Sequence, residues 1–208
     1  LQRAFNKYID NFRGFSREIW ILTLITFINR AGTMVLPFLS KYLREDLDFS
    51  YNQVKWILIS FGLGSIVGSW LGGKLSDKIG FYKVQLFTLF GGGLMFIVLG
   101  QVKSYPLICV FTFGLSLVNE AFRPANSSSI AFYSTSENRT RSYSLNRLAI
   151  NLGWAVGASI GGLVAAFDYE LLFWVDGITN ILAAGLLFYF LRPNIQLKKE
   201  SSTGSDTE

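Results

Sequence analysis

Residues 73–83 read Gly-Lys-Leu-Ser-Asp-Lys-Ile-Gly-Phe-Tyr-Lys. This charged stretch separates two long apolar runs, 53–73 and 84–101. A chain that crosses a bilayer twice needs a tight turn at such a place, and Gly73 and Gly80 suit one. Lys74, Lys78 and Lys83 fit the rule that cytoplasmic loops are basic. Asp77 does not follow from that rule, and an acid held among three lysines points to a specific contact.

Composition agrees with a membrane setting. The 208 residues are 50% hydrophobic and 16% aromatic, with a mean hydropathy of +0.36. Only 16% are charged, against about 25% in soluble domains. Net charge is +5, but the basic residues are scattered over loops and form no continuous patch, so nucleic acid is not an expected partner. There is no His and one Cys, Cys109. Catalytic Cys-His and Ser-His-Asp arrangements are therefore excluded. A zinc or iron–sulfur site is not expected, and no cofactor is implied. The chain opens at Leu1, which suggests a trimmed chain or a fragment, and residues 1–18 lack the form of a signal peptide.

About 20 apolar residues cross a bilayer as a helix. Six such runs are present, at 19–42, 53–73, 84–101, 105–130, 144–167 and 170–191. Only helices satisfy their own backbone in lipid at this length, so the fold is expected to be all-α and integral to the membrane. Placement of Lys and Arg sets the orientation. One side collects Arg3, Lys7, Arg13, Arg17, Lys74, Lys78, Lys83, Arg139, Arg141, Arg192, Lys198 and Lys199; the other has Lys41, Arg44 and Lys103. Both termini are then cytoplasmic. The domain reading is a cytoplasmic segment at 1–18, a transmembrane bundle at 19–192, and a polar cytoplasmic tail or start of a linker at 193–208. Asn126-Ser-Ser128 and Asn138-Arg-Thr140 match the glycosylation pattern, but this topology keeps both from the outer surface.

Charges inside the spans are the candidate functional groups. Arg30, Glu120, Arg123 and Asp176 each cost roughly 2.5–3.5 kcal/mol at a helix centre and normally face protein or water. Thr26, Arg30, Thr33 and Pro37 fall at i, i+4, i+7 and i+11 in the first span; Ser116, Glu120, Arg123 and Ser127 repeat those offsets in the fourth. Each set draws one polar stripe along a helix. Arg30 is near the middle of its span and Glu120 just past the middle of its own, so the two can approach. Glu120 can also pair with Arg123 within one helix. Asn29, Asn119, Asn151 and Asp176, with Asn180 four residues on, complete the candidate set. Small residues mark a second pattern: Gly64 and Gly68 in the second span, and Gly153, Gly157, Gly161 and Gly162 in the fifth. In an apolar helix this spacing makes a close-packing face.

The stretch at 73–83 resembles the helix 2–3 loop of major facilitator superfamily transporters, G-x-L-x-D-[RK]-x-G-[RK]-[RK]. Gly73, Leu75, Asp77, Lys78 and Gly80 match; Phe81 and Tyr82 stand where the family has basic residues, and Lys83 supplies one a step late. The fifth span resembles the helix 5 signature of the family's proton-coupled drug antiporters, G-x-x-x-G-P-x-x-G-G, with Ala158 in place of the Pro. Residues 119–125, 137–142 and 145–153 resemble a drug-efflux-like branch. Of the E-x-x-E-R residues of the proton-dependent peptide transporters, the first span holds only Arg30, which counts against peptide uptake.

The resemblance implies the amino-terminal half of a twelve-helix fold, six helices arranged as two inverted three-helix repeats, with helices 1 and 4 lining a central cavity. It implies a secondary transporter working by alternating access, with the lipid bilayer, a small-molecule substrate, a proton and a second six-helix half as partners. Glu120 is the expected proton carrier, and drug-like efflux the expected direction. The competing readings are a non-transporting membrane scaffold or receptor of the same fold, a proton-coupled uptake symporter, and, third, a membrane enzyme, for which no nucleophile or metal set is present.

Overall fold

The computed structural model describes residues 14–191. Most of the expected segment 1–18 and all of the tail 193–208 lie outside the described residues, as do Arg3, Lys7, Arg13, Arg192, Lys198 and Lys199. Among the described residues the elements are helices, without a strand: α1 (Arg17–Ala31), α2 (Val35–Glu45), α3 (Tyr51–Ile79), α4 (Phe81–Gln101), α5 (Tyr105–Tyr133), α6 (Arg139–Ala165) and α7 (Tyr169–Phe190). They supply six segments long and apolar enough to cross a membrane, with α1 and α2 together forming the first, Arg17–Glu45.

The first span differs from the sequence expectation because it is broken. Pro37 has no N–H, and its ring collides with the carbonyl four residues back, at Thr33. The helix restarts so that Pro37 falls in the first turn of α2, where that loss is tolerated. Gly32 caps α1, and a Cβ on it would collide with the Thr179 side chain of α7. The restart leaves backbone donors that lipid cannot satisfy. Asp176 of α7 takes them: its two carboxylate oxygens accept from Met34 N and Val35 N, each at 2.8 Å.

The expected loop at 73–83 is corrected too. Helix α3 runs on to Ile79, and the reversal is concentrated at Gly80, whose φ of +90° suits glycine. Gly73 lies within the helix, while Asp77 and Lys78 are exposed in its last turn. A helix that starts at the Ser50–Gln53 capping box and is 29 residues long outreaches the hydrocarbon core. Its charged end therefore projects beyond the lipid rather than looping at its edge.

Packing follows a repeated plan. Helix α3 lies along α5, and α6 lies along α1; α4 packs on α5 as α7 packs on α1; α4 and α7 pack on each other. These pairings interchange if spans one to three are swapped with spans four to six. An odd number of crossings per repeat makes the two repeats antiparallel, as an inverted pair requires. Glycine allows the closest of these contacts: a Cβ on Gly68 would strike the Leu117 carbonyl, one on Gly72 would sit 2.5 Å from Ala121 Cα, and one on Gly157 would sit 2.7 Å from the Ala31 carbonyl.

Two apolar clusters fill the bundle. One, at the end away from the amino terminus, includes Leu39, Leu43, Ile57, Phe96, Leu115 and Phe173. The other, at the amino-terminal end, includes Leu22, Ile25, Leu89, Phe122, Ile130 and Leu187. Buried polar side chains lie between and beside them, and they define the site.

Candidate functional site

The polar stripes of the first and fourth spans meet over part of their length: Thr33 turns back to the Asn29 carbonyl, Ser116 packs at Gly64 of α3, and Glu120 lies outside the cavity lining. Arg30, Arg123, Thr26 and Ser127 line one cavity of about 110 Å³. Tyr143, Asn146 and Ile150 of α6 close its third side, with Phe122 and Asn126 of α5 beneath. The cavity exists because α6 lies against α1 on glycine: a Cβ on Gly153 would be 2.6 Å from Arg30 Cβ. A larger residue there would push α6 off the Arg30 side chain.

The ionic geometry is asymmetric. Arg123 Nη1 donates to Glu120 Oε2 at 3.0 Å, within one helix. The Arg123 side chain is 67% exposed and that of Glu120 only 15%, so the pair has one wet and one sheltered end. Arg30 is partly buried and within electrostatic reach of both Glu120 and Arg123. Among the described residues it closes no ion pair with either. Pro124 adds a further feature, since it cannot donate to the carbonyl four residues back, which is that of Glu120.

Beneath the charged groups runs a buried amide network. Asn126 Nδ2 donates to Thr26 Oγ1 and to Asn146 Oδ1, and Gln85 Nε2 donates to Asn126 Oδ1, all at 3.1 Å. Four spans are thereby joined through one side chain. Asn126 and Asn146 were visible in sequence only as polar residues inside apolar runs. The available signal was spacing: Asn146 is seven residues before Gly153 and eleven before Gly157, on the face that packs.

The other candidates go elsewhere. Asn29 faces α7, where its Nδ2 donates to Asn180 Oδ1 at 2.7 Å. Asn180 Nδ2 donates in turn to the Asp176 carbonyl at 2.8 Å. Asp176 is 0% exposed and bound to the α2 amino terminus, outside the cavity lining. Asn119 packs on α4 at Gly92, and Asn151 is exposed on α6. Gly162 makes only ordinary contact with Phe38, while Gly161 approaches it closely. Among the described residues no group of His, Cys, Asp and Glu could hold a metal. Away from the cavity, at the opposite end, Lys103 Nζ pairs with Glu170 Oε1 at 3.0 Å. That hydrogen bond raises the lysine above its ordinary pKa.

The chain is 28% identical over 199 residues to the uncharacterized MFS-type transporter YttB of Bacillus subtilis, covering 90% of this chain and 47% of that protein. It is 26% identical over 159 residues to the uncharacterized MFS-type transporter YdeE of Escherichia coli, covering 76% of this chain and 40% of the relative. It is 24% identical over 177 residues to the quinolone resistance protein NorA of Staphylococcus aureus, covering 81% and 43%. The chain thus spans less than half the length of these curated relatives. The sequence profile of the Major Facilitator Superfamily matches residues 19–207, nearly the whole chain. With six membrane-length apolar helices in two antiparallel repeats and that match, the chain belongs to the Major Facilitator Superfamily and is an integral membrane protein.

Proposed function

We propose that this chain is one six-helix half of a secondary transporter that moves a small drug-like molecule out of the cell by alternating access, driven by exchange with protons. Both termini face the cytoplasm, and the membrane is the plasma (inner) membrane. The second six-helix half, in the same polypeptide or a partner chain, closes the other side of the cavity. The tail at 193–208 begins the linker to it, and 1–18 is a cytoplasmic lead-in. The name of NorA ties that relative to quinolone resistance, which favours drug-like cargo.

The observation that carries the reading is a three-charge group: Arg30 and Arg123 line the cavity where the first and fourth spans meet, and Glu120, outside the lining, pairs with Arg123 and acts on Arg30 electrostatically. Glu120 holds one partner at 3.0 Å and feels a second at longer range. Protonating Glu120 would remove its pull on both guanidiniums, and Arg30 and Arg123 would then repel each other unscreened. A ligand or proton shifts a conformational equilibrium only by its differential affinity for the two states. This three-charge group offers such a difference, because the balance of attraction and repulsion changes sign with one proton.

Glu120→Gln tests it in the whole transporter, reconstituted in vesicles. Gln keeps hydrogen-bonding capacity and cannot cycle a proton. Accumulation driven by a pH gradient should disappear while substrate binding or downhill exchange persists. Uphill transport at the parental level would remove Glu120 from the proton path. If neutralising the charges harms folding and the parent itself shows no flux, the scaffold reading prevails.

A further inference from the structure

We propose that the cavity between α1, α5 and α6 is a binding site for a carboxylate group on the transported molecule. The proposal rests on the transporter reading and names the chemistry of its cargo. Hydrogen-bond accounting around the cavity carries it. Asn126 has no donor to spare: both of its amide hydrogens go to Thr26 and Asn146, and its oxygen accepts from Gln85. The same bonds fix its partners. The Asn146 oxygen already accepts from Asn126, and its N–H₂ carries both donors unspent. Thr26 Oγ1 accepts from Asn126, which leaves its O–H proton to give. Tyr143 Oη donates to the Ser127 carbonyl at 3.0 Å and Ser127 Oγ donates to Tyr143 Oη at 3.4 Å, so both hydroxyl protons are spent.

The charged groups that remain open toward the cavity are donors. The Arg30 guanidinium has five N–H groups and, among the described residues, no hydrogen-bonded or ionic acceptor. Arg123 has one nitrogen committed to Glu120. Charge points the same way: two guanidiniums and one carboxylate leave a single positive excess. In a sheltered site an unbalanced cation is unfavourable, and an anion that enters is held more strongly than in water. A guanidinium fork matches a carboxylate bidentately. One negative charge balances the excess, whereas a dianionic phosphate would reverse it. The volume of about 110 Å³ is a few water volumes, since a water occupies about 30 Å³ of liquid. It admits a carboxylate with a small attached group, the rest of the molecule extending past the open rim.

The test uses purified full transporter and three benzene derivatives of similar size: benzoate, neutral benzamide and cationic benzylamine. Radiolabelled benzoate should bind saturably, and neither of the others should compete. Arg30→Gln should weaken benzoate binding by at least about tenfold, the loss expected for a charge-assisted hydrogen bond. Arg30→Lys should recover part of it, as a point charge without the fork. Size-exclusion profiles and melting temperatures like the parent's establish that both variants are folded; if Arg30→Gln is not, Arg30→Lys against the parent decides. Absent benzoate binding, equal binding in Arg30→Gln, or competition by benzylamine would each overturn the proposal. Absent binding is also the result expected if a carboxylate of the second half neutralises Arg30. Gradient-driven efflux of ethidium, measured in parallel, separates the two claims. Ethidium transport without benzoate binding removes the carboxylate site and keeps the transporter; benzoate binding without transport of either probe keeps the site and removes the transporter.

Discussion

Asp176 shows what one buried side chain can hold in place. Its two oxygens satisfy the Met34 and Val35 amides at 2.8 Å, its carbonyl accepts from Asn180, and Asn180 holds Asn29. One turn of α7 therefore pins both pieces of the broken first span. Asp176→Ala would leave two backbone donors buried without partners, at about 1–3 kcal/mol each. Asp176→Asn keeps one acceptor and turns an N–H₂ toward the second donor, so its effect should be intermediate. Melting temperatures in detergent check the order, parent above Asn above Ala; equal melting of all three would mean that α2 needs no tether. The sequence showed Asp176 and Asn180 four residues apart in an apolar run, which marks them as costly and partnered. It did not show that the partner was backbone, because the donors exist only after Pro37 breaks the helix. The Arg30, Glu120 and Arg123 stripes were legible for the opposite reason: helical periodicity alone sets which residues share a face.

At the scale of elements, small residues decide which helices touch. The fifth-span glycines were legible as a packing face, and the structure supplies the surface that they meet: Gly153, Gly157 and Gly161 lie on Arg30, Ala31 and Met34. Gly157→Leu places a branched side chain where a Cβ would already be 2.7 Å from a carbonyl. Overpacking of this kind costs about 1–3 kcal/mol. A Cβ on Gly62 would meet nothing within 4 Å, so Gly62→Leu is the matched control, and relief of glycine's helix penalty offsets any small loss there. Detergent melting should fall for Gly157→Leu and hold for Gly62→Leu; an unchanged Gly157→Leu would mean that α6 does not need this contact with α1. The end of α3 is a different case. Asp77 is exposed one turn before Gly80, beyond the reach of a packing argument. We expect it to meet a helix end of the second half in one transport state. Asp77→Asn should change the ratio of inward to outward accessibility, read by cysteine labelling, with expression retained. Accessibility unchanged on both sides would leave Asp77 as an incidental surface charge.

The whole molecule joins two repeats whose contacts mirror each other, and this symmetry extends to what is left uncovered. Helices α3 and α6 bury the smallest share of their lengths, and they are the second member of each repeat. Apolar side chains on them, Ile66 and Leu163 among others, stand well exposed. Six helices alone do not cover them, so lipid or a second half must. Neither the helical periods nor the packing says which end of the bundle faces the cytoplasm, since both repeats read alike in either direction. The proposed orientation rests on Lys and Arg placement: Arg17, Lys74, Lys78, Lys83, Arg139 and Arg141 are on one side and Lys41, Arg44, Lys55 and Lys103 on the other, and the more basic side is the one expected inside. In a Cys109→Ser background, Asp46→Cys and Ser104→Cys should react with an impermeant maleimide added to intact cells. Ile79→Cys and Glu137→Cys should react only after permeabilisation. All four positions are exposed and at helix ends, so failure to label reports sidedness rather than burial. The reverse pattern would invert the bundle, place Asp77 and Gly80 outside, and turn the Arg30 cavity toward the opposite compartment. Efflux from the cytoplasm would then have to load its cargo from the end closed by Leu39, Leu43 and Phe173.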